Sequence, residues 1–204
     1  ASGVGKSRIA ERIHQSWRRR KEAQGFQAGS LVQQNCAGLP ETLADSLLFG
    51  HVKGAFTGAH RDQEGLLEKA NGGTLFLDEV ADLPLPVQGK LLLAIEYKQF
   101  HPLGSFDTRK KSDFRLIAAT NKRLSEEVRA GRFREDLYAR IRCWEYELPG
   151  LIQLRDQFPR YVEKQLEEWM REEFEARRPS HVTFDQRARE RYLRFAASER
   201  AAWS

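Results

Sequence analysis

The chain has 204 residues, with 34 Lys and Arg against 29 Asp and Glu and a formal charge of +5. That length can bury a sizeable core as one domain, or as one domain with a smaller helical companion; the charge suits a nucleotide or acidic partner but is too mild to demand nucleic acid. Two cysteines, Cys36 and Cys143, lie far apart without metal-ligand spacing, which argues against a disulfide scaffold and for reduced thiols in a cytoplasmic protein, and no apolar run of about 18 residues or signal-peptide pattern points to a membrane or to export.

The first residues, Ala1, Ser2, Gly3, Val4, Gly5, Lys6 and Ser7, reproduce all but the leading glycine of the phosphate-loop pattern G-x-x-x-x-G-K-[ST]. In such a loop, backbone N–H groups surround phosphates at the start of a helix whose dipole favours negative charge. Lys6 would reach the β and γ phosphates, and the Ser7 hydroxyl would bind Mg²⁺. A surface turn is the plain alternative, but the amphipathic run through Ile9, Ile13 and Trp17 requires a helix to follow. The basic cluster of Arg18, Arg19, Arg20 and Lys21 reads as the solvated end of that helix.

A strand is expected over 30–35 and a short helix over 41–49. Next comes Gly54, Ala55, Phe56, Thr57, Gly58 and Ala59, an apolar hexapeptide with two glycines and one aromatic. Glycines weaken a helix or strand, so this is a loop. Phe56 either folds back onto its own domain or presses on a partner.

The turn at Asn71, Gly72 and Gly73 leads into a buried apolar strand over 74–77 that ends in Asp78 and Glu79. A parallel strand finishing in two acids at its carboxyl end puts them where open α/β sheets keep their ligands. Asp78 is a candidate for Mg²⁺, and Glu79 for orienting or deprotonating an attacking water. Helix capping by the two acids is the bland alternative.

Pro84 begins a helix running through Leu91, Leu92 and Ile95, and 100–111 is expected to form a hairpin or second protruding loop. Another apolar strand, 114–119, ends in Thr120 and Asn121. The Asn121 amide could hydrogen-bond a γ phosphate or the water attacking it, or could simply cap a helix. In 131–141, Leu137 and Ile141 share a helical face while Arg134 and Arg140 lie elsewhere. Such arginines either form surface ion pairs or reach a phosphate across an interface. A last strand is expected over 143–148, and beyond Pro149 and Gly150 the pattern turns to long charged helices.

Taken together, the phosphate loop, Asn35-Cys36, LFGH-x-KGAFTGA (48–59), GGTLFLDE (72–79), AATN (118–121) and GRFREDLYARI (131–141) closely resemble the central AAA+ ATPase domain of bacterial enhancer-binding proteins, the activators of sigma-54 RNA polymerase. The text around His51-Val52-Lys53, Gly65-Leu66-Leu67 and Leu103-Gly104-Ser105 looks most like the subfamily that activates the RNA-repair operon. The resemblance implies an α/β P-loop NTPase with a parallel five-stranded sheet, in residues 1–149, followed by a small α-helical lid in 150–204. It implies ATP and Mg²⁺ as ligands, with Ser2, Gly3, Val4, Gly5, Lys6 and Ser7 in Walker A, Asp78 and Glu79 in Walker B, and Ser7 and Asp78 at the metal. Asn35 matches a switch asparagine that holds the Walker B glutamate, and Thr120 and Asn121 match sensor I. Arg134 and Arg140 match arginines offered to a neighbour's ATP in a ring, usually a hexamer. The six residues Gly54 to Ala59 match the loop that touches the sigma factor, and 100–111 matches a second loop beside it. DNA contact would come only through a domain absent from this chain.

Three departures qualify these expectations. Leu47 stands where many relatives carry an acid, the run after Pro149 departs from the usual lid junction, and no residue matches the sensor II arginine. The resemblance gives a strand order of 5-1-4-3-2, and the central first strand precedes the phosphate loop. The chain is therefore expected to be a fragment of a longer protein, to leave its last strand unpaired, and to fold poorly and hydrolyse ATP weakly on its own. Two other functions compete with activation: an AAA+ nucleic-acid remodeller, which would carry basic or aromatic residues on the loop, and a nucleotide-binding interaction module without turnover.

Overall fold

A computed structural model of the chain describes residues 5–105 and 107–148. The compact unit Gly5–Glu145 holds all the elements below; the expected helical lid lies outside the described residues. Helix α1 (Lys6–Ala23) leads to strand β1 (Leu31–Asn35), helix α2 (Glu41–Phe49) and the short α3 (Leu66–Lys69). Strand β2 (Thr74–Asp78), a 3-10 turn (Val80–Asp82) and α4 (Leu85–Tyr97) follow. The two-residue strands β3 (Gln99–Phe100) and β4 (Lys110–Lys111), then β5 (Arg115–Ala118), α5 (Leu124–Arg129) and α6 (Glu135–Ile141), complete the order.

Strands β1, β2 and β5 form a parallel sheet in that order. The central β2 is buried from Thr74 to Leu77, as expected for a near-continuous apolar run covered on both faces. Register matters most for function. Asn35 pairs with Asp78, and Leu77 pairs with Ala118. All three strands therefore end on one edge, and the chemistry-bearing residues that follow them are delivered there. Helix α4 packs beneath with Val87 and Leu91 fully buried, joined by Leu48, Phe49, Leu67 and Leu137. The Phe49 and Phe100 rings meet in a tilted pair, centroids 6.0 Å apart, fastening the hairpin β3–β4 to this core.

The structure departs from the sequence reading in two places. Helix α1 forms, but its covered residues are Ala10 and His14, while Ile9 and Ile13 are 38% and 41% exposed. The polar side is tolerated inward because His14 Nδ1 shares a 2.9 Å hydrogen bond with Thr74 Oγ1. Secondly, the strand expected over 143–148 does not form. Helix α6 runs to Ile141, and Trp144 and Tyr146 are 96% and 84% exposed. A strand exists only through its ladder bonds, and among the described residues β5 pairs with β2 alone, so nothing beside it carries the sheet onward.

Candidate functional site

At the carboxyl edge of the sheet, α1 begins directly after Gly5, which has φ 81° and ψ 25°. The first helical bond runs from the Ile9 N–H to the Gly5 carbonyl at 3.0 Å. Among the described residues no side chain caps this end, and its first turn carries no acid. The N–H groups of the first turn and the positive end of the helix dipole are thus available to an anion. Ser7 is exposed here; Ser2, Gly3 and Val4 lie outside the described residues.

Lys6 points from this helix to the end of β2. Its Nζ is 2.9 Å from Asp78 Oδ1 and 2.5 Å from Glu79 Oε1. Burial works against the ammonium, but the hydrogen bonds and charges of Glu79 and Asp78 outweigh it and raise the Lys6 pKa above its ordinary value. Glu79 is also held from β5: Oε2 accepts the Asn121 N–H at 3.0 Å, with the Thr120 hydroxyl at 3.5 Å. Its backbone sits at φ 53° and ψ 46°, a left-handed conformation that a non-glycine residue adopts at a cost. Bonds on both sides hold it there: the Glu79 N–H donates to Asp78 Oδ1 at 3.0 Å, and the Val80 N–H to the Ala119 carbonyl at 3.0 Å. Strain of this sort is retained where the surroundings over-determine it, commonly at functional sites.

The remaining candidates fall around this centre. Asn35 is exposed, and its Oδ1 accepts the Ala37 N–H at 2.8 Å instead of meeting Glu79. What ties the start of the α2 connection to the site is backbone, the Cys36 N–H to the Asp78 carbonyl at 2.8 Å. The Cys36 thiol is buried, and burial, with the Asp78 and Asp82 charges, pushes its pKa up to about 12, so it is inert. Asn121 is not a helix cap, since α5 starts after Arg123. Leu47 is half-buried, and the buried acid of α2 is Asp45, paired with Lys90 at 2.6 Å.

Arg134 stands at the start of α6 and Arg140 in its last turn. Arg134 grips Asp136 with Nε and Nη2, at 3.0 and 2.7 Å; the Asp136 hydrogen bonds raise its pKa and lower that of Asp136. Arg140 is exposed. Sequence reasoning missed what positions this segment. Gln88, fully buried in α4, accepts the Arg134 N–H at 2.8 Å and donates to the Leu83 and Arg132 carbonyls at 2.6 and 3.1 Å. A glutamine one residue from Val87 and three from Leu91, on the apolar side of a helix, was the available signal.

The loop carrying Phe56 springs from a closed neck. Gly50 and Gly65 cross so tightly that a Cβ on Gly65 would lie 2.4 Å from the Gly50 nitrogen, and His51 and Gln63 exchange backbone bonds of 3.0 and 2.9 Å. The second loop lies alongside, as expected: the Val52 N–H donates to the Leu103 carbonyl at 3.1 Å, and Gly104 packs on Ala55. Gly54, Thr57 and Gly58 are exposed, Ala55 is half-buried and Ala59 is buried. Phe56 is half-buried, its ring in a T-shaped pair with that of His51, centroids 5.0 Å apart.

The Sigma-54 interaction domain family matches residues 1–147. The chain belongs to this family. Among its relatives are the transcriptional regulatory protein RtcR of Escherichia coli, 45% identical over 99% of this chain, and the nitric oxide reductase transcription regulator NorR2 of Cupriavidus necator, 49% identical over 74%. The chain spans 36% of the first and 27% of the second, about a third of the length of such regulators. The expected likeness to the RNA-repair subfamily is thus matched by RtcR. The crystal structure of NtrX from Brucella abortus in complex with ADP superposes with a TM-score of 0.71 at 29% identity, covering 98% of this chain and 42% of that one. A structure of NtrX with ATP gives the same TM-score. The α/β fold with a parallel sheet is therefore that of the AAA+ activators. Among the described residues, no helix is long and apolar enough to cross a membrane.

Proposed function

We propose that this domain hydrolyses ATP with Mg²⁺ and uses the energy to remodel sigma-54 RNA polymerase through the loop of Gly54 to Ala59, in the cytoplasm and as part of a ring. The observation that carries the reading is the junction of Lys6, Asp78 and Glu79 at the uncapped start of α1. A lysine and free helix N–H groups suit phosphates. The chemistry of the donors also fits the metal. No group of three or more His, Cys, Asp or Glu among the described residues could hold an ion by itself, and the remaining hard oxygens, Ser7 and Asp78, suit Mg²⁺, which characteristically takes few protein ligands and completes its shell with phosphates and water. When bound, Mg²⁺ offsets charge on the phosphate oxygens.

The chain's own residues divide the work. Lys6 exchanges its carboxylate partners for phosphate oxygens. Glu79 then has Asn121 and Thr120 to orient it, and its carboxylate accepts a proton from the attacking water. Asn35 stands at the edge of the same site, in register with Asp78. Arg134 and Arg140, both exposed, act on the ATP of the neighbouring subunit, a role worth about 10³–10⁵ in rate where it is known. Phe56 and Thr57 contact the sigma factor, and DNA contact belongs to a part of the protein beyond this domain.

The test is nucleotide binding and turnover in the full-length protein. Lys6→Ala is expected to lose both. Glu79→Gln is expected to keep ATP binding and lose hydrolysis by about 10² or more. Turnover at the parental rate in Glu79→Gln would remove Glu79 from the chemistry.

A further inference from the structure

Phe56 has a specific resting place, and the residues that make it belong to none of the roles assigned above. His51 is 7% exposed and Ser46, in the last turn of α2, is 4% exposed. The Ser46 hydroxyl and His51 Nδ1 share a 2.7 Å hydrogen bond. That bond orients the imidazole, whose backbone is pinned on both sides, by Gln63 and by the bridge to Leu103. The oriented ring meets Phe56 in a T-shaped pair, centroids 5.0 Å apart and planes at 69°, while Thr57 and Gly58 beside Phe56 stand in solvent. Phe56 has no other ring contact among the described residues.

We propose that Ser46 and His51 form a clasp that holds the Phe56 ring against the neck of its own loop, so that the share of molecules offering Phe56 to a partner is set by this clasp. The proposal rests on the reading of Phe56 as a contact to the sigma factor, and it names the positioning residues for that contact. Ser46 acts through His51, and His51 acts through its ring. An edge-to-face aromatic pair of this kind shifts a two-state balance by about 2- to 12-fold. That is enough to retain the ring and weak enough for a partner's binding energy to release it.

The test labels the full-length protein with 4-fluorophenylalanine, assigns the Phe56 resonance by its loss in Phe56→Leu, and measures its broadening by a soluble gadolinium chelate. Ser46→Ala removes only a hydroxyl and is the variant least prone to misfold; His51→Ala is the second. The open share of Phe56, read as broadening, is expected to rise about 2- to 12-fold in each, and the double variant should match His51→Ala alone because both act by one route. Broadening equal to the parent in both single variants, or additive effects in the double, would overturn the clasp. Capture of sigma-54 by the same samples separates the two ideas. If broadening rises as expected while Phe56→Leu captures sigma-54 as well as the parent, the clasp stands and the reading of Phe56 as the contact fails. If capture needs Phe56 but neither Ser46→Ala nor His51→Ala changes the broadening, the contact stands and the clasp fails.

Discussion

At the end of the sheet, Lys6, Asp78, Glu79, Thr120 and Asn121 are drawn together by ion pairs and hydrogen bonds from three separate elements, whereas in the loop of residues 51–64 Phe56 is held by one aromatic edge above a neck of crossing backbones. The first region is over-determined: strand register, helix start and a strained Glu79 all point to one arrangement. In the second, backbone bonds close the neck, and the tip is tied to it by a single ring contact among the described residues. The contrast teaches where this domain can afford to move. Burial and charge make the sheet edge a fixed reference, and on the proposed function it is the loop tip that would depart from it.

The sharpest way to break this comparison is to damage what both regions share. Leu91, fully buried in α4, belongs to the core on which both rest, so Leu91→Ala should cost about 2–5 kcal/mol and lower the unfolding free energy of both regions in one cooperative transition, measured by urea melts. A transition that split in two would show the regions to be independent. Gln88→Ala should act on the Arg134 segment and spare the loop carrying Phe56. It strips a buried brace from the Arg134 N–H and two carbonyls, at about 1–3 kcal/mol for each group left without a partner, and hydrogen exchange should speed up at Arg134 while residues 51–64 stay as they are.

Gly104→Ala should do the converse. The residue has φ +78°, and a Cβ there would stand 2.6 Å from that of Ala55; the left-handed backbone alone costs about 1–2 kcal/mol. Exchange should speed up in the two loops while ATP turnover is kept. The smallest effect concerns pH. Because the folded-state pKa of Lys6 is raised, its contribution to stability is fully present below the unfolded value of about 10.4 and is lost as pH climbs through the folded one. Melts of the parent against Lys6→Met should therefore converge at alkaline pH and differ below it.

Much of the candidate site at the sheet edge was legible because it is written locally. An apolar run closing in Asp78 and Glu79, and a second closing in Thr120 and Asn121, each state their own strand and its end, and α2 emerged over Glu41–Phe49 as read. The contacts among those ends were not legible. Lys6 and Glu79 are 73 positions apart, and it is the packing of α1 against β2 that brings them together. The same limit explains Asn35, whose side chain turns to a neighbouring N–H rather than across to Glu79, and α1, where a histidine satisfied by Thr74 displaces Ile9 and Ile13 from the buried side. The strand expected over 143–148 failed for a related reason: its residue types suit a strand, but a ladder needs a neighbour. Phe56 was left between two positions by its sequence, since an aromatic between glycines says nothing of which ring it will meet.

The central claim, that the loop tip is the output of an ATPase and not part of its chemistry, is tested most directly by capture of sigma-54 by the full-length protein bound to ADP–aluminium fluoride, comparing the parent with Phe56→Ala while ATP turnover is measured in the same preparations. The account predicts that Phe56→Ala hydrolyses ATP at the parental rate and captures no sigma-54. Capture equal to the parent, or loss of turnover with capture intact, would contradict it.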